Sequence, residues 1–225
     1  MPAANIIRLR ALLSEKFSGL GLQLGESSAA TSKVWPTGLP QIDEPLQGGL
    51  PKGALSEIVS PGTSSGAATL MHALLRRAAQ ENQFIALIDG NDSLDVTQIE
   101  QGTLARLLWV RARSANEALK ACDLILRDNN LSLVLLDLKV VAENELRKIL
   151  ATIWYRFQRV VEEKAIVCVV FTPRGMVPAA QARITLQARF SLDAMERDAV
   201  DLLRELKFEI SLARHFQDTA RQSVA

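Results

Sequence analysis

Three short apolar runs, IALI (85–88), LVLL (133–136) and IVCVVF (166–171), constrain this chain more than any other feature. A strand with one wet face alternates polar and apolar residues, whereas an unbroken run is covered on both faces. The runs set strands at Phe84–Ile88, Leu133–Leu136 and Ile166–Phe171, and similar signals add Leu55–Val59 and Leu107–Val110. Between them lie amphipathic helical patterns over Thr69–Glu81, Ser114–Arg127 and Glu143–Glu162. Strands alternating with helices predict βαβ units and a mostly parallel α/β sheet with helices on both faces. After Pro173 the period changes to two in ARITLQARFSLDAM (182–195) and LKFEISLARHF (206–216). These read as antiparallel C-terminal strands, forming a terminal hairpin or joined by a short helix over 197–206.

The first strand runs into EIVSPGTSSGAATL, residues 57–70. A buried strand (Ile58, Val59), a polar turn (Ser60 to Gly66) and a helix opening at Ala67 are the layout of a phosphate cradle. The chemistry is different. Where the pattern G-x-x-x-x-G-K-[ST] places Gly, Gly, Lys and Ser/Thr, this chain has Pro61, Gly66, Ala67 and Ala68. Gly62, Ser65 and Thr69 remain as small or hydroxyl-bearing members of the loop. The loop N–H groups and Ser65 leave room for weak nucleotide binding, and the alternative is a plain strand–turn–helix joint.

Upstream, Ile6, Ile7, Leu9, Leu12, Leu13 and Phe17 recur at helical spacing, so residues 4–17 predict a separate amphipathic N-terminal helix. Residues 22–34 are small and polar, a linker, which divides the chain into 1–34, a core over 35–216 and a polar tail over 217–225. Trp35 to Gly53 is punctuated by Pro and Gly, a set of turns around a short helix near Ile42–Leu46. With 225 residues, 48% hydrophobic and net charge +1, the chain is an ordinary globular one whose overall field favours neither nucleic acid nor membrane. No apolar run approaches the ~20 residues of a membrane span. Cys122 and Cys168 sit in apolar patterns and read as buried free thiols in a reducing compartment, and the expected location is the cytoplasm. His72 and His215 alone make no metal site.

Several stretches in register resemble the RecA/RadA recombinase core. TGLPQIDEPLQGGLPKGALSEI (37–58) is similar to the segment leading into that family's phosphate loop, with its Thr-Gly, an Asp six residues after the Thr, and GGLP-x-G. IALIDGNDSLD (85–95) resembles the family's FIDAEHALD, LLWVRARSANEALKACDLIL (107–126) its next strand and helix, and LVLLDL (133–138) its Walker B strand. LRALLSEKFSGLG (9–21) is similar to the helix by which recombinase protomers hook together, which makes Ile6, Leu9, Leu13 and Phe17 candidate interaction residues. The resemblance implies a RecA-like fold.

The departures from the family pattern bear on function. The phosphate-loop lysine position is Ala67, its hydroxyl neighbour is Ala68, and with Glu57 matched the loop is one residue longer at Thr63. The family's water-activating glutamate falls on Asn91, an amide that takes no proton. Asp137 stays at the Walker B position without its magnesium-binding partner. Loss of one such group costs on the order of 10²–10³ in rate, so no catalytic residue and no cofactor are expected. The DNA loops are short: Lys139–Ala142, and Thr172–Ala182 with one basic residue, Arg174, so direct DNA binding should be weak or indirect. Trp154, Tyr155 and Phe157 lie among arginines on one predicted helix and cannot all face one core, so Trp154 and Tyr155 join Arg174 as interaction candidates. Arg76, Arg77, Arg106, Arg111 and Arg113 read as scattered solvated charge or, alternatively, as a basic edge for DNA or an acidic partner, and Trp35 and Trp109 as local packing.

A RecA-like core stripped of its ATPase groups is similar to the ImuA family. That resemblance implies a non-enzymatic role in the DNA-damage (SOS) response, supporting error-prone translesion synthesis. The partners it implies are an ImuB-type inactive Y-family polymerase homologue, RecA, and an error-prone replicative-type polymerase subunit. Three other classes remain open: a SulA-type division inhibitor, an active RecA-like ATPase paralogue, and a nucleotide-independent DNA-binding protein.

Overall fold

In the computed structural model the apolar runs form the middle of a seven-stranded sheet. The structure describes residues 33–213 other than 129, 188, 192, 195 and 196. The predicted helix over 4–17, with Ile6, Leu9, Leu13 and Phe17, lies outside the described residues, as do His215 and the tail over 217–225.

The strands are β1 (Ala54–Val59), β2 (Ile85–Asp89), β3 (Leu107–Arg111), β4 (Leu133–Asp137), β5 (Val167–Thr172), β6 (Ala182–Leu186) and β7 (Phe208–Leu212). Their spatial order is 3-2-4-5-1-6-7. All neighbours are parallel except β6 and β7, which pair antiparallel with Leu186 opposite Phe208. The long helices are α1 (Ala67–Gln80), α2 (Ala115–Asp128) and α3 (Ala151–Lys164).

Side chains alternate across the sheet with period two. Ile85, Leu87, Leu133, Leu135, Val167, Val169 and Phe171 join the α1 residues Leu70, Met71, Leu74 and Leu75 in one core. Ala86, Ile88, Val134, Leu136, Cys168 and Val170 are equally buried and must point to the opposite face. There Cys122 of α2 meets Cys168 of β5; the hydrogen bond between the two thiols, and then burial, push the Cys122 thiol well above its ordinary value, as in a structural buried cysteine. None of the described helices is long and apolar enough to cross a membrane.

The Thr-Gly…Asp spacing of the lead-in segment has a local cause. Asp43, on the short helix Pro40–Asp43, accepts from Thr37 N (2.9 Å), Thr37 Oγ1 (2.7 Å) and Gly38 N (3.0 Å), closing the turn on itself. The paired glycines that follow have one too. At Gly49 φ is +141° and a Cβ would stand 2.1 Å from the carbonyl oxygen of Trp35, so only Gly lets the two backbones approach. The Val34–Trp35 and Leu50–Pro51 pairs form a small ladder there.

The structure corrects several expectations. The helix predicted over Glu143–Glu162 is two helices, Glu143–Leu146 and α3, separated by a break at which Leu150 is extended (ψ 141°). Both halves are amphipathic in the same phase, so periodicity alone could not see the break. The strand pattern over 182–195 forms a strand only to Leu186. Beyond it the chain leaves the sheet and returns to β7 through a short helix, Ala199–Arg204, which is the second of the two expected connections and falls within the expected 197–206. The helix expected near Ile42–Leu46 sits at Pro40–Asp43, where proline opens it. Val34, assigned to the linker, already pairs with Pro51.

Candidate functional site

The parallel strands end together, with Asp89 of β2 and Asp137 of β4 in register. The loops at 60–66, 90–95, 138–142 and 173–181 therefore meet at the carboxyl edge of the sheet, the usual place for a site in an open α/β fold.

At the end of β1 the chain turns sharply. Ser60 N donates to Thr172 O (2.8 Å), and the buried hydroxyls of Ser60 and Ser65 hydrogen-bond to each other. Pro61, Gly62, Thr63 and Ser64 are exposed, Gly66 caps α1 in the left-handed region (φ +85°), and Ala67 is buried while Ala68 faces solvent. The space above Gly66 is filled by the chain itself. A Cβ there would lie 2.3 Å from Leu206 Cδ2 and 2.9 Å from Phe190 Cε2. Phe190 is tied down by its own N–H, which donates to Ser64 O at 2.9 Å. Leu203 and Leu206 belong to the same core as Ala67 and Leu70, and Gln41 Nε2 donates to Leu203 O (2.6 Å).

Asp137 is equally committed. It accepts from Lys139 N (2.9 Å) and from Lys139 Nζ (2.6 Å), in a pair that is largely buried. Asp89, buried in the next strand, receives Ser93 N (2.8 Å), Leu94 N (2.9 Å) and, at 3.3 Å, Asn91 N, so it shapes the loop that carries Asn91. The Asn91 residue itself is exposed. Half-buried His72, on α1, lies within the fields of Asp95 and Lys139. Burial lowers its pKa, Asp95 opposes that shift, and Lys139 adds to it.

A nucleoside triphosphate with magnesium needs free N–H groups and a cation at its phosphates, with a hydroxyl and a carboxylate on the metal. Here alanines stand at the lysine and hydroxyl positions, leucine and phenylalanine atoms crowd Gly66, Ser65 is bonded to Ser60, and Asp137 holds an ammonium. The residues present do not fit that group. Among the described residues no cluster of three metal-ligating side chains occurs.

Comparison with known proteins supplies the lineage. The model of the family described as RecA N-terminal domain matches residues 11–149. The chain belongs to the RecA N-terminal domain family. "Protein RecA" of Fusobacterium nucleatum is 31% identical over 123 residues, which is 53% of this chain and 32% of that protein. "Protein RecA" of Clavibacter michiganensis is 31% identical over 122 residues, and that of Streptomyces ambofaciens 26% over 122. The matched stretch thus spans about a third of these relatives' own length.

Within this RecA-family core, one densely connected ionic residue escaped sequence reasoning. Glu57, fully buried in the central strand, accepts from Thr172 Oγ1 (2.9 Å), Met176 N (2.7 Å), Val177 N (3.1 Å) and Arg183 Nε (2.6 Å). A lone acid inside a buried strand was the available signal, because such a charge has to be paired and hydrogen-bonded. Its effect is to hold the loop after β5 against the sheet. Lys139 was missed as a partner of Asp137 for want of any spacing rule.

The interaction candidates divide. Trp154 is only 1% exposed and packs edge-to-face on Phe157 (6.1 Å, 88°), so it is core and not a docking residue. Tyr155 is 57% exposed on α3. Arg174 is at the surface but bound to Glu143 (2.5 and 2.6 Å). Leu150, 67% exposed at the helix break, and Val140 were not anticipated. Beside that break lies a groove of about 340 Å³ lined by Ile149, Trp154, Met176, Pro178 and Arg183. Arg106 and Arg111 lean on Phe84 and Trp109, so these two arginines are local packing as well as charge. Trp35 is buried, its indole N–H donating to Gln83 Oε1 (2.9 Å).

Proposed function

We propose that this RecA-family chain is a non-catalytic accessory protein of the DNA-damage response that supports error-prone translesion synthesis by binding other proteins. The partners are RecA, an inactive Y-family polymerase homologue and an error-prone replicative-type polymerase subunit. The observation that carries the reading is the altered cradle: Ala67 and Ala68 stand at the lysine and hydroxyl positions, Leu206 and Phe190 pack on Gly66, and Lys139 occupies Asp137, while the family's sheet and lead-in segment persist. Phosphoryl transfer is almost wholly positioning and charge stabilisation, and those groups have been replaced together. What the retained core offers a partner is surface. The apolar N-terminal pattern, exposed Leu150 at the start of α3 and exposed Tyr155 on α3 are the surfaces in question.

Two measurements test the proposal. The purified protein with single-stranded DNA should release no phosphate from ATP above background, and turnover abolished by Asp137→Ala would overturn the reading. Immobilised protein should retain RecA and the polymerase homologue, with retention weakened by deletion of residues 1–21. Retention of a tubulin-like division protein instead would favour a division inhibitor.

A further inference from the structure

A site at the carboxyl edge of a parallel sheet ordinarily takes its cation and its phosphates from solution. In this chain the cation's place is supplied from within, and the loop beside it is packed over at Gly66. Lys139 follows Asp137 by two residues, and gives it both a backbone N–H (2.9 Å) and the ammonium (2.6 Å). The link is local, so it forms whenever β4 forms. The neighbouring carboxylate offers a metal little help, because Asp89 is already bonded to Ser93 N and Leu94 N. Over Gly66 sit Phe190 and Leu206, from a segment that Arg197 and Glu205 clip together by a two-point ion pair. Phe190 N to Ser64 O fastens that segment to the loop.

We propose that Lys139 is a resident stand-in for the divalent cation, while the Phe190–Leu206 pair packs the adjoining loop in place at Gly66. They hold the carboxyl edge of the sheet in one arrangement, with or without nucleotide, so that partners meet a surface nucleotide does not switch. The inference rests on the non-catalytic reading and extends it from lost chemistry to lost switching. A ligand that binds only the folded state raises its stability by mass action, roughly 2.7 kcal/mol at a hundredfold excess over Kd, so indifference is measurable.

The experiment is thermal unfolding of the full-length protein with magnesium chloride, inorganic phosphate, Mg-ADP or Mg-ATP. It is repeated on Lys139→Met, Lys139→Arg and Lys139→Met/Asp137→Asn. Wild-type Tm should move by less than about 1 °C under every addition. Lys139→Met strands a buried carboxylate and should lower Tm by about 5 °C or more, the double variant should recover most of that, and Lys139→Arg should stay near wild type. Stabilisation of wild type by several degrees with either nucleotide would overturn the proposal. So would a double variant no more stable than Lys139→Met, or a loss in Lys139→Arg as large as in Lys139→Met. Failure to retain RecA would count against the proposed function and leave these arms standing.

Discussion

At the scale of single residues, two positions carry predictions. Gly66 combines a left-handed φ of +85° with Leu206 Cδ2 where a Cβ would stand, so both strain and overlap oppose any side chain. Gly66→Ala should cost roughly 1–3 kcal/mol in urea unfolding; an unchanged midpoint would mean that Leu206 does not cover the loop. His72 gives a pH dependence. Its folded pKa is depressed below 6.5, chiefly by burial, with Asp95 opposing and Lys139 reinforcing the shift. The unfolded chain therefore binds more protons between the two values, and stability is present above about 6.5 and lost as pH falls through the folded pKa. Tm should drop on going from pH ~7.5 to ~5.5, and His72→Gln should remove the histidine's share of that drop.

At the scale of elements, the loop after β5 and the helix α3 behave differently. Glu57 gathers donors from β5, β6 and residues 176–177, so it joins two strands and a loop at one carboxylate. Glu57→Ala leaves two loop N–H groups without their acceptor and should cost about 3 kcal/mol or more, with Arg183→Ala costing less because its side chain is partly exposed. Hydrogen exchange is expected to speed up across 173–181 in Glu57→Ala, and unchanged protection would argue against the anchoring role. On α3, Trp154→Ala should cost about 3–5 kcal/mol. Tyr155→Ser and Leu150→Asp, on exposed positions, should move Tm by less than about 1 °C and weaken partner retention. Equal retention by all three proteins would place the docking surface elsewhere.

At the scale of the whole molecule, the carboxyl edge keeps its position in the fold and changes its content. In-register Asp89 and Asp137 end adjacent parallel strands, and each is held by donors of its own chain. Two neighbouring carboxylates would repel if left bare, and the Lys139 ammonium with the Ser93 and Leu94 amides relieves that without imported charge. The expected whole-protein outcome is retention of partners that is the same with and without Mg-ATP, checked by quantitative pull-down over a nucleotide titration. Retention that appears only with nucleotide would contradict a surface held in one arrangement.

Much of the fold was legible in residue pattern alone. Continuous runs such as LVLL and IVCVVF have no polar face to expose, so they had to be central parallel strands. Loss of the lysine and hydroxyl at Ala67 and Ala68 was equally a property of the chain read in line. The packing over Gly66 was not, because Phe190 and Leu206 lie more than a hundred residues from it and reach it only when β6 and β7 bring their connection across the loop. The break before Leu150 was hidden because both helical halves share one phase, and Trp154 and Tyr155 are adjacent in sequence yet one is buried and the other exposed. Local periodicity is set by neighbours along the chain, and it determined the parallel strands and most of the helices, while the residues standing at the motif positions, Ala67, Ala68 and Asn91, carried the missing chemistry. Only tertiary packing, which joins residues distant in sequence, decided that Gly66 is covered by leucine and phenylalanine and that Glu57 answers to Arg183.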